Sequence, residues 1–379
     1  MAGLLRNIIR KSLITLNISA GVSMLLLYAL PYTDQDRFWM LNIIALAFPV
    51  LILIQLLFFV FWLIAKPRMA LLPVFFTVLS YKLIFSFVAI QGSDKNNHSA
   101  SAFRLLSWNV HLFNFFEKGG KPDPEMIRLV KARQADIFCA QELVFSLNPS
   151  SSFTLDKMKE KLGYRYAVAA NDRAFGVHTN PQTKEERYHP FCLAIFSNHP
   201  IIQWKKVQTI PEYNHTFLWA DMLINKDTLR VFNIHLQSMY FVKDDYDFIE
   251  NIDRQNVDQV SNHGKNILRK IKNANYLRAL QILEVKKELL RSPHPVMLAG
   301  DFNDVPNSYA HRLIGRILND AFTQKGSGIG RTFQKISPTL RIDYIFGAPS
   351  LIIENFKVHP WNKGDHHAIE ASVSFPDSE

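Results

Sequence analysis

The chain has 379 residues, 48% of them hydrophobic and 20% charged, and carries a formal charge of +10. That charge splits evenly: eight Lys/Arg against three Asp in residues 1–101 give +5, and the remaining 35 against 30 give +5 again, so composition supplies no nucleic-acid footprint. There is no internal repeat or low-complexity tract. The two cysteines, Cys139 and Cys192, fall in apolar runs that read as buried thiols unless their strands are neighbours in an oxidising compartment.

The first ninety residues read as a membrane anchor. Residues 13–31, 38–65 and 69–91 are apolar runs with almost no charge, and each supplies the ~20 residues that cross a bilayer. Arg6, Arg10 and Lys11 also fit the start of a signal peptide, but the second and third runs anchor the chain either way. Lys82 is the anomaly, because a lysine near mid-span costs about 2.5–3.5 kcal/mol on insertion scales. It is expected to snorkel or to face the other helices. Arg6, Arg10 and Lys11, then the acidic Asp34 and Asp36, then Lys66 and Arg68 place the N-terminus and the second connection in the cytoplasm. Residues 1–92 are thus read as an anchor of three transmembrane helices and polar residues 93–101 as a linker. Residues 102–379 form a domain outside the cytoplasm, in a multi-pass protein whose evident partner is the lipid bilayer.

Some 278 residues follow residue 101, enough for one large α/β domain with a substantial core. Strand-like segments recur at 103–109, 136–142, 165–170, 191–197, 217–224, 229–236, 295–301, 342–346 and 368–375. Helical patterns occupy 124–134, 154–162, 275–291 and 308–318. Several strands end in polar residues, which delivers side chains to a sheet edge. The first leads to Asn109, the second to Gln141 and Glu142, the sixth to His235, and the apolar run 295–299 to Gly300, Asp301, Phe302 and Asn303. Asp343 lies inside an apolar run, and Asp365, His366 and His367 precede the last strand. Asp301 and Asn303 are two residues apart and share a face if the strand continues, while Gly300 lets the backbone approach a ligand. The bland readings are turn formation by Asp301 and Asn303, a core histidine at His235, a solvated Glu142, and an Asp343 that pairs with Arg341 on the same strand face.

The ordered segments Ser107-Trp108-Asn109-Val110, Gln141-Glu142, Asn233-Ile234-His235-Leu236, Gly300-Asp301-Phe302-Asn303, Arg341-Ile342-Asp343-Tyr344-Ile345 and Asp365-His366 resemble the endonuclease/exonuclease/phosphatase superfamily of metal-dependent phosphoesterases. The resemblance covers 102–377. It implies a four-layer α/β sandwich, two packed sheets flanked by helices, with the strand ends around one cleft. It also implies hydrolysis of a phosphodiester or phosphomonoester by in-line attack of water, with Mg²⁺ or Mn²⁺ as cofactor. Glu142 is then the principal metal ligand, with Asn109 and Asp365 completing or supporting the site. Asp301 orients or deprotonates the water, and Asn303 and His235 hydrogen-bond the phosphate. His366 contacts the phosphoryl group, with Asp343 fixing its tautomer. His366 is preferred to His367 because the family's histidine directly follows the aspartate. The family's frequent Ser before and Pro after this pair are Gly364 and Ala368 here, a departure in the loop rather than in the side-chain chemistry.

Segment 239–275 departs most from a plain version of this fold. It opens with Tyr240, Phe241, Tyr246 and Phe248, and then sets Ile267, Leu268 and Ile271 beside Lys265, Arg269, Lys270 and Lys272. It reads either as a packed helical insertion or as a substrate- or membrane-contacting element at the cleft rim. Nucleic acid, phospholipid or sphingolipid, and soluble phosphate esters all remain candidate substrates, because one metal site serves all three. A non-catalytic binding or signalling module at the membrane is the alternative from another class.

Overall fold

The computed structural model describes residues 2–91, 102–115, 117–146, 148–151, 153–174, 178–179, 186–187, 190–210, 215–251 and 257–376; the expected linker lies outside them. The N-terminal part forms α1 (Ala2–Leu26), α2 (Met40–Leu46), α3 (Phe48–Ala65), α4 (Leu71–Leu79) and α5 (Tyr81–Phe87). Two helices, Leu4–Leu26 and Phe48–Ala65, are long and apolar enough to cross a membrane. The third expected run is broken: Pro67–Leu79 and Tyr81–Phe87 meet at a bend of 64° and make a third span only if the pair crosses as one. Lys82 sits just past that break with its side chain exposed, beside the Tyr81 ring. Close helix approach uses a small residue, since a Cβ on Gly21 would lie 2.1 Å from the Phe76 ring. A buried amide pair, Asn17 Nδ2 donating to Gln55 Oε1 at 2.6 Å, ties α1 to α3.

The larger part alternates strands and helices. Its elements are β1 (Phe103–Asn109), α6 (Pro124–Arg133), β2 (Ile137–Val144), α7 (Leu155–Leu162), β3 (Tyr166–Ala174), β4 (His178–Thr179), β5 (Glu186–Arg187), β6 (Pro190–Ser197), β7 (Ile201–Ile210), β8 (His215–Ile224) and β9 (Asp227–His235). There follow α8 (Lys243–Glu250), α9 (Val257–Leu290), β10 (Val296–Asp301), α10 (Tyr309–Ile314), β11 (Asn319–Asp320), α11 (Ala321–Lys325), β12 (Asp343–Gly347), β13 (Ile352–His359) and β14 (Ala368–Ser374). Two six-stranded mixed sheets result, ordered β13-β14-β1-β2-β6-β3 and β11-β12-β10-β9-β8-β7. Each has one parallel pair at its centre, β1 with β2 and β9 with β10, flanked by antiparallel neighbours. The central strands are buried on both faces, which is why they read as near-continuous apolar runs.

Strand register decides where the functional residues fall. Asn109 pairs with Gln141 at the end of β1, and Asp301 pairs with both His235 and Asp343 at the end of β10. Both central parallel pairs therefore finish at one end of the two-sheet stack. Cys139 and Cys192 lie on neighbouring strands but pair with Ile195 and Leu143 respectively; both are buried and neither is in a disulfide, and Cys192 Sγ donates to Leu143 O at 3.1 Å.

The N-terminal helices and the larger part share one core. Met24, Leu27, Leu30, Phe48, Leu83 and Phe87 belong to the same buried cluster as Phe103, Val231, Leu298 and Ile345. Hydrogen bonds cross the joint from Asn307 Nδ2 to Leu83 O at 2.9 Å and from Tyr309 N to Asn42 Oδ1 at 2.9 Å. The buried Arg341 donates to Ser86 O at 2.6 Å and to Asp320 Oδ2 at 2.8 Å. Arg341 is thus spent on Asp320 and the N-terminal helices, and the expected bland pair with Asp343 is not its role.

Candidate functional site

The local chain geometry around the strand ends is specialised. Gly300 has φ +147°, and a Cβ there would stand 1.9 Å from Ile234 O on the adjacent strand. Strand-to-strand approach by itself requires glycine at this position. Glu142 has φ +51° within a register shift between Ala140 and Leu143, a bulge of the kind that re-aims a side chain beside a site. Asn303 has φ +50° and lies past the last strand residue, Asp301. The two therefore do not share a strand face; the Asn303 amide nitrogen instead donates to Asp301 Oδ1 at 2.7 Å.

Asp301 is the hub. Its Oδ2 accepts from Asn109 Nδ2 at 3.1 Å and lies 3.8 Å from His235 Nε2 and 3.7 Å from His366 Nε2. His235 Nε2 is also 3.6 Å from Glu142 Oε1. His366 Nδ1 stands 3.0 Å from Asp343 Oδ2, and Asp343 is fixed in turn by its backbone nitrogen donating to Thr332 Oγ1 at 3.1 Å. All eight residues singled out by sequence lie around this end of the sheets. Glu142, Asp301, Asn303, Asp365 and His366 line a common cavity. Asn109 and Asp343 are buried and reach it through Asp301 and His366. Asn303 Nδ2 is turned to Leu236 O at 3.0 Å. His367 is elsewhere: its Nδ1 accepts from Trp361 N at 2.9 Å.

The electrostatics separate the two central groups. Burial and the neighbouring Asp343 charge push the Asp301 carboxyl up to about 6, against the pull of His366, His235 and the Asn109 amide. Burial alone would lower the His366 pKa, but the Asp343 and Asp301 carboxylates and the Asp343 hydrogen bond outweigh it and raise it to about 10. Near neutrality Asp301 is an ionised base beside a cationic imidazole. Burial acts to raise Asp365, yet the charges of His366, His111 and Lys335 hold it below its ordinary range.

Among the described residues, the His/Cys/Asp/Glu group whose ligand atoms lie within 4.8 Å of one another is Asp301, Asp343 and His366. Within this triple the His366 Nδ1–Asp343 contact of 3.0 Å ties imidazole to carboxylate, and the Asp301 and Asp343 carboxylates add oxygen donors. The Glu142 and Asp365 carboxylates are oxygen donors that also suit a hard cation. Asp365 Oδ1 is buried and has no hydrogen-bond partner, a costly state for a carboxylate oxygen unless something binds it.

Three supporting groups went unassigned in the sequence. Gln141 Nε2 donates to Asn233 Oδ1 at 2.7 Å, and Asn233 Nδ2 donates to Ala140 O and Ala194 O at 2.9 and 2.8 Å, stitching one sheet to the other beneath the site. Arg278, buried on α9, donates to Asp304 Oδ2 at 3.2 Å and to Gln237 O at 3.0 Å, holding the loops that follow Asp301 and His235. Polar residues inside apolar strands were the available signal for the first two. For Arg278 there was none, because its partners lie 26 and 41 residues away.

Residues 106–366 match the Endonuclease/Exonuclease/phosphatase family, and residues 10–87 match a domain of unknown function, DUF8431. No curated protein matches the chain. Among solved structures, an endonuclease/exonuclease/phosphatase from Bacteroides vulgatus superposes with a TM-score of 0.50 at 12% identity, covering 72% of this chain and 99% of that one. Another from Beutenbergia cavernae gives 0.49 at 17% identity over 72% of each chain. A 3′ phosphatase from Neisseria bound to a product DNA hairpin gives 0.45 at 16% identity, covering 71% and 98%. At such identities the likeness is one of fold.

Proposed function

We propose a specific chemistry for a chain that belongs to the Endonuclease/Exonuclease/phosphatase family and is a hydrolase acting on ester bonds: membrane-anchored hydrolysis of a phosphoester by in-line attack of water, dependent on Mg²⁺ or Mn²⁺. The observation that carries it is the convergence on Asp301 of Asn109, His235, Asn303 and the His366–Asp343 pair, in one cavity with Glu142 and Asp365. Glu142 and Asp365 would hold the cation, with Asn109 in support. The cation, when bound, neutralises charge on the phosphoryl and leaving oxygens.

The protein's own residues do the rest. Asp301 takes a proton from the attacking water as its oxygen bonds to phosphorus and the ester P–O bond breaks; the leaving alkoxide takes a proton from solvent, and Asp301 returns its proton to solvent to restore the resting site. Asn109 and the Asn303 backbone orient Asp301. Cationic His366, held by Asp343, stabilises charge on the phosphoryl oxygens, and His235 and Asn303 steady the phosphate.

Anchoring is supported by the unusually apolar outer surfaces of α1 and α3, where Leu16, Leu53, Leu57 and Ile64 are exposed. Orientation follows from combining charge with packing. The larger part contacts the α1–α2 connection, with Lys272 Nζ 3.8 Å from Asp36 and Arg316 4.5 Å over the Tyr32 ring. The basic Arg6, Arg10, Lys66 and Arg68 lie at the opposite ends of these helices. By the distribution of basic residues those ends are cytoplasmic, and the hydrolase part lies outside the cytoplasm. The test is a phosphoester panel with the purified full chain in Mg²⁺, in Mn²⁺ and in chelator. Glu142→Gln and chelation are each expected to cost at least a hundredfold in turnover with folding kept; full turnover in chelator refutes the proposal.

A further inference from the structure

The catalytic groups do not line a simple open cleft. They sit at one end of a cavity of about 430 Å³ whose remaining wall is largely apolar. Segment 239–275, read from sequence as either packed insertion or rim element, builds that wall: Phe241, Tyr246 and Ile249 come from α8 and the chain before it, and Ile267 and Ile271 from α9. Phe333, Ile336 and Leu340 close another side. The N-terminal helices contribute as well, since Asn42 and Leu46 of α2 line the same cavity as Glu142, Asp301 and His366. Two wall residues, Tyr240 and Ile336, hold φ of +50° and +68°, a region costly for a β-branched side chain and typical of ligand clamps.

Resting on the phosphoesterase reading above, we propose that the substrate is an amphiphilic phosphoester from the bilayer, with its phosphate at Asp301 and His366 and a hydrocarbon chain along the apolar wall toward α2. A nucleic acid fits this cavity poorly. Its described lining contains no Lys or Arg, whereas nucleic-acid affinity depends on neutralising many phosphates. The wall does offer aromatic faces at Phe241, Tyr246 and Phe333, but stacking on them without a basic track for the backbone is only half of what single-stranded nucleic acid uses. A small polar ester would leave the apolar wall empty. A hydrocarbon chain gains from burial, about fourfold in affinity for each methylene fully removed from water. The membrane supplies such chains next to α2.

The test compares ethyl, octyl and hexadecyl 4-nitrophenyl phosphate diesters with the full chain in nanodiscs and Mg²⁺. Hydrolysis releases 4-nitrophenol and leaves the alkyl phosphate. kcat/KM is expected to rise at least 100-fold from ethyl to octyl. Partition into the nanodisc cannot be the cause if Ile271→Trp and, separately, Ile249→Trp collapse the octyl-to-ethyl ratio at least tenfold, because partition is indifferent to the cavity wall. Hydrolysis of all esters at similar kcat/KM, or preferential salt-sensitive cleavage of single-stranded DNA, overturns the inference while leaving the phosphoesterase reading intact. Hydrolysis of no ester defeats that reading instead. A second measurement then decides the inference: hexadecyl phosphate with a terminal diazirine should photolabel 239–275 or α2, and label confined to the outer faces of α1 and α3 overturns it.

Discussion

Replacing Gly300 by Ala tests whether the site depends on the close approach of two strands. Gly300 pairs with Ile234, one residue before the Asp301–His235 pair. An added Cβ would sit 1.9 Å from Ile234 O, about 1.4 Å inside the ~3.3 Å of the closest ordinary C···O contacts. Nothing flexible is available to yield, since the obstructing atom is backbone in a central strand. The φ of +147° belongs to a region that only glycine enters freely, worth about 1–3 kcal/mol, and forced repacking adds about 1–3 kcal/mol. Their sum, about 4 kcal/mol, is a large share of a typical ~5–15 kcal/mol total. It corresponds to a fall of roughly 5 °C in Tm for a protein of this size. Separation of the strands also moves Asp301 from His235, so turnover falls in the fraction that stays folded. Gly163→Ala is the control, because Gly163 has φ +87° but nothing within 4 Å of a new Cβ, and it should cost only about 1 kcal/mol. Thermal unfolding in detergent, with turnover measured below the transition, reads both effects. A Gly300→Ala protein with the parental Tm and kcat refutes the reasoning.

Asp301→Asn should lower kcat by at least a thousandfold while substrate still binds, and His366→Ala should lower kcat at least a hundredfold with KM little changed; parental rates in both variants, by steady-state kinetics, remove them from the mechanism. Arg341→Met strips the buried Asp320 of its guanidinium partner and should cost about 3–5 kcal/mol. Adding Asp320→Asn should recover part of that loss in thermal unfolding, and no recovery would show that the packing of Arg341 matters more than its charge. A reporter fused after residue 379 that is active only in an oxidising exported compartment should give signal, and a cytoplasmic reporter at the same place should not.

Central strands were legible in the sequence because burial on both faces makes them continuous apolar runs, and their polar ends stood out against that background. The edges were not. β7 places Lys205 and Lys206 on an exposed edge strand, so the charges that protect an edge from mispairing also hid it. β13 alternates Ile353 and Phe356 across a register shift at Ile353/Asn355, which breaks the period-two signal. The long helix α9 begins at Val257, well before the expected 275, because its first turns are polar. Parity arguments failed at Asn303 for a different reason: the strand stops at Asp301 and the backbone turns left-handed. The positions of His366 and Asp343 were given by motif order, but their 3.0 Å contact joins residues 23 apart through two different sheets. Only the packing of those sheets supplies it.

The joint between the N-terminal helices and the hydrolase part was the least legible feature and changes how the two halves are understood. Sequence suggested a tether, with a polar linker separating a membrane part from an independent domain. The fold instead spends buried hydrogen bonds on the joint, from Asn307, Tyr309 and Arg341 to Leu83, Asn42 and Ser86, and threads one apolar core through both parts. A mere tether needs none of these contacts, since three apolar runs would retain any domain at a membrane. Contacts of this kind fix position and orientation, and at the cavity they make α2 a wall of the reaction site. A tether alone would leave α2 out of that wall. Under the proposed membrane placement, the same joint holds the cavity at a fixed height and angle to the bilayer.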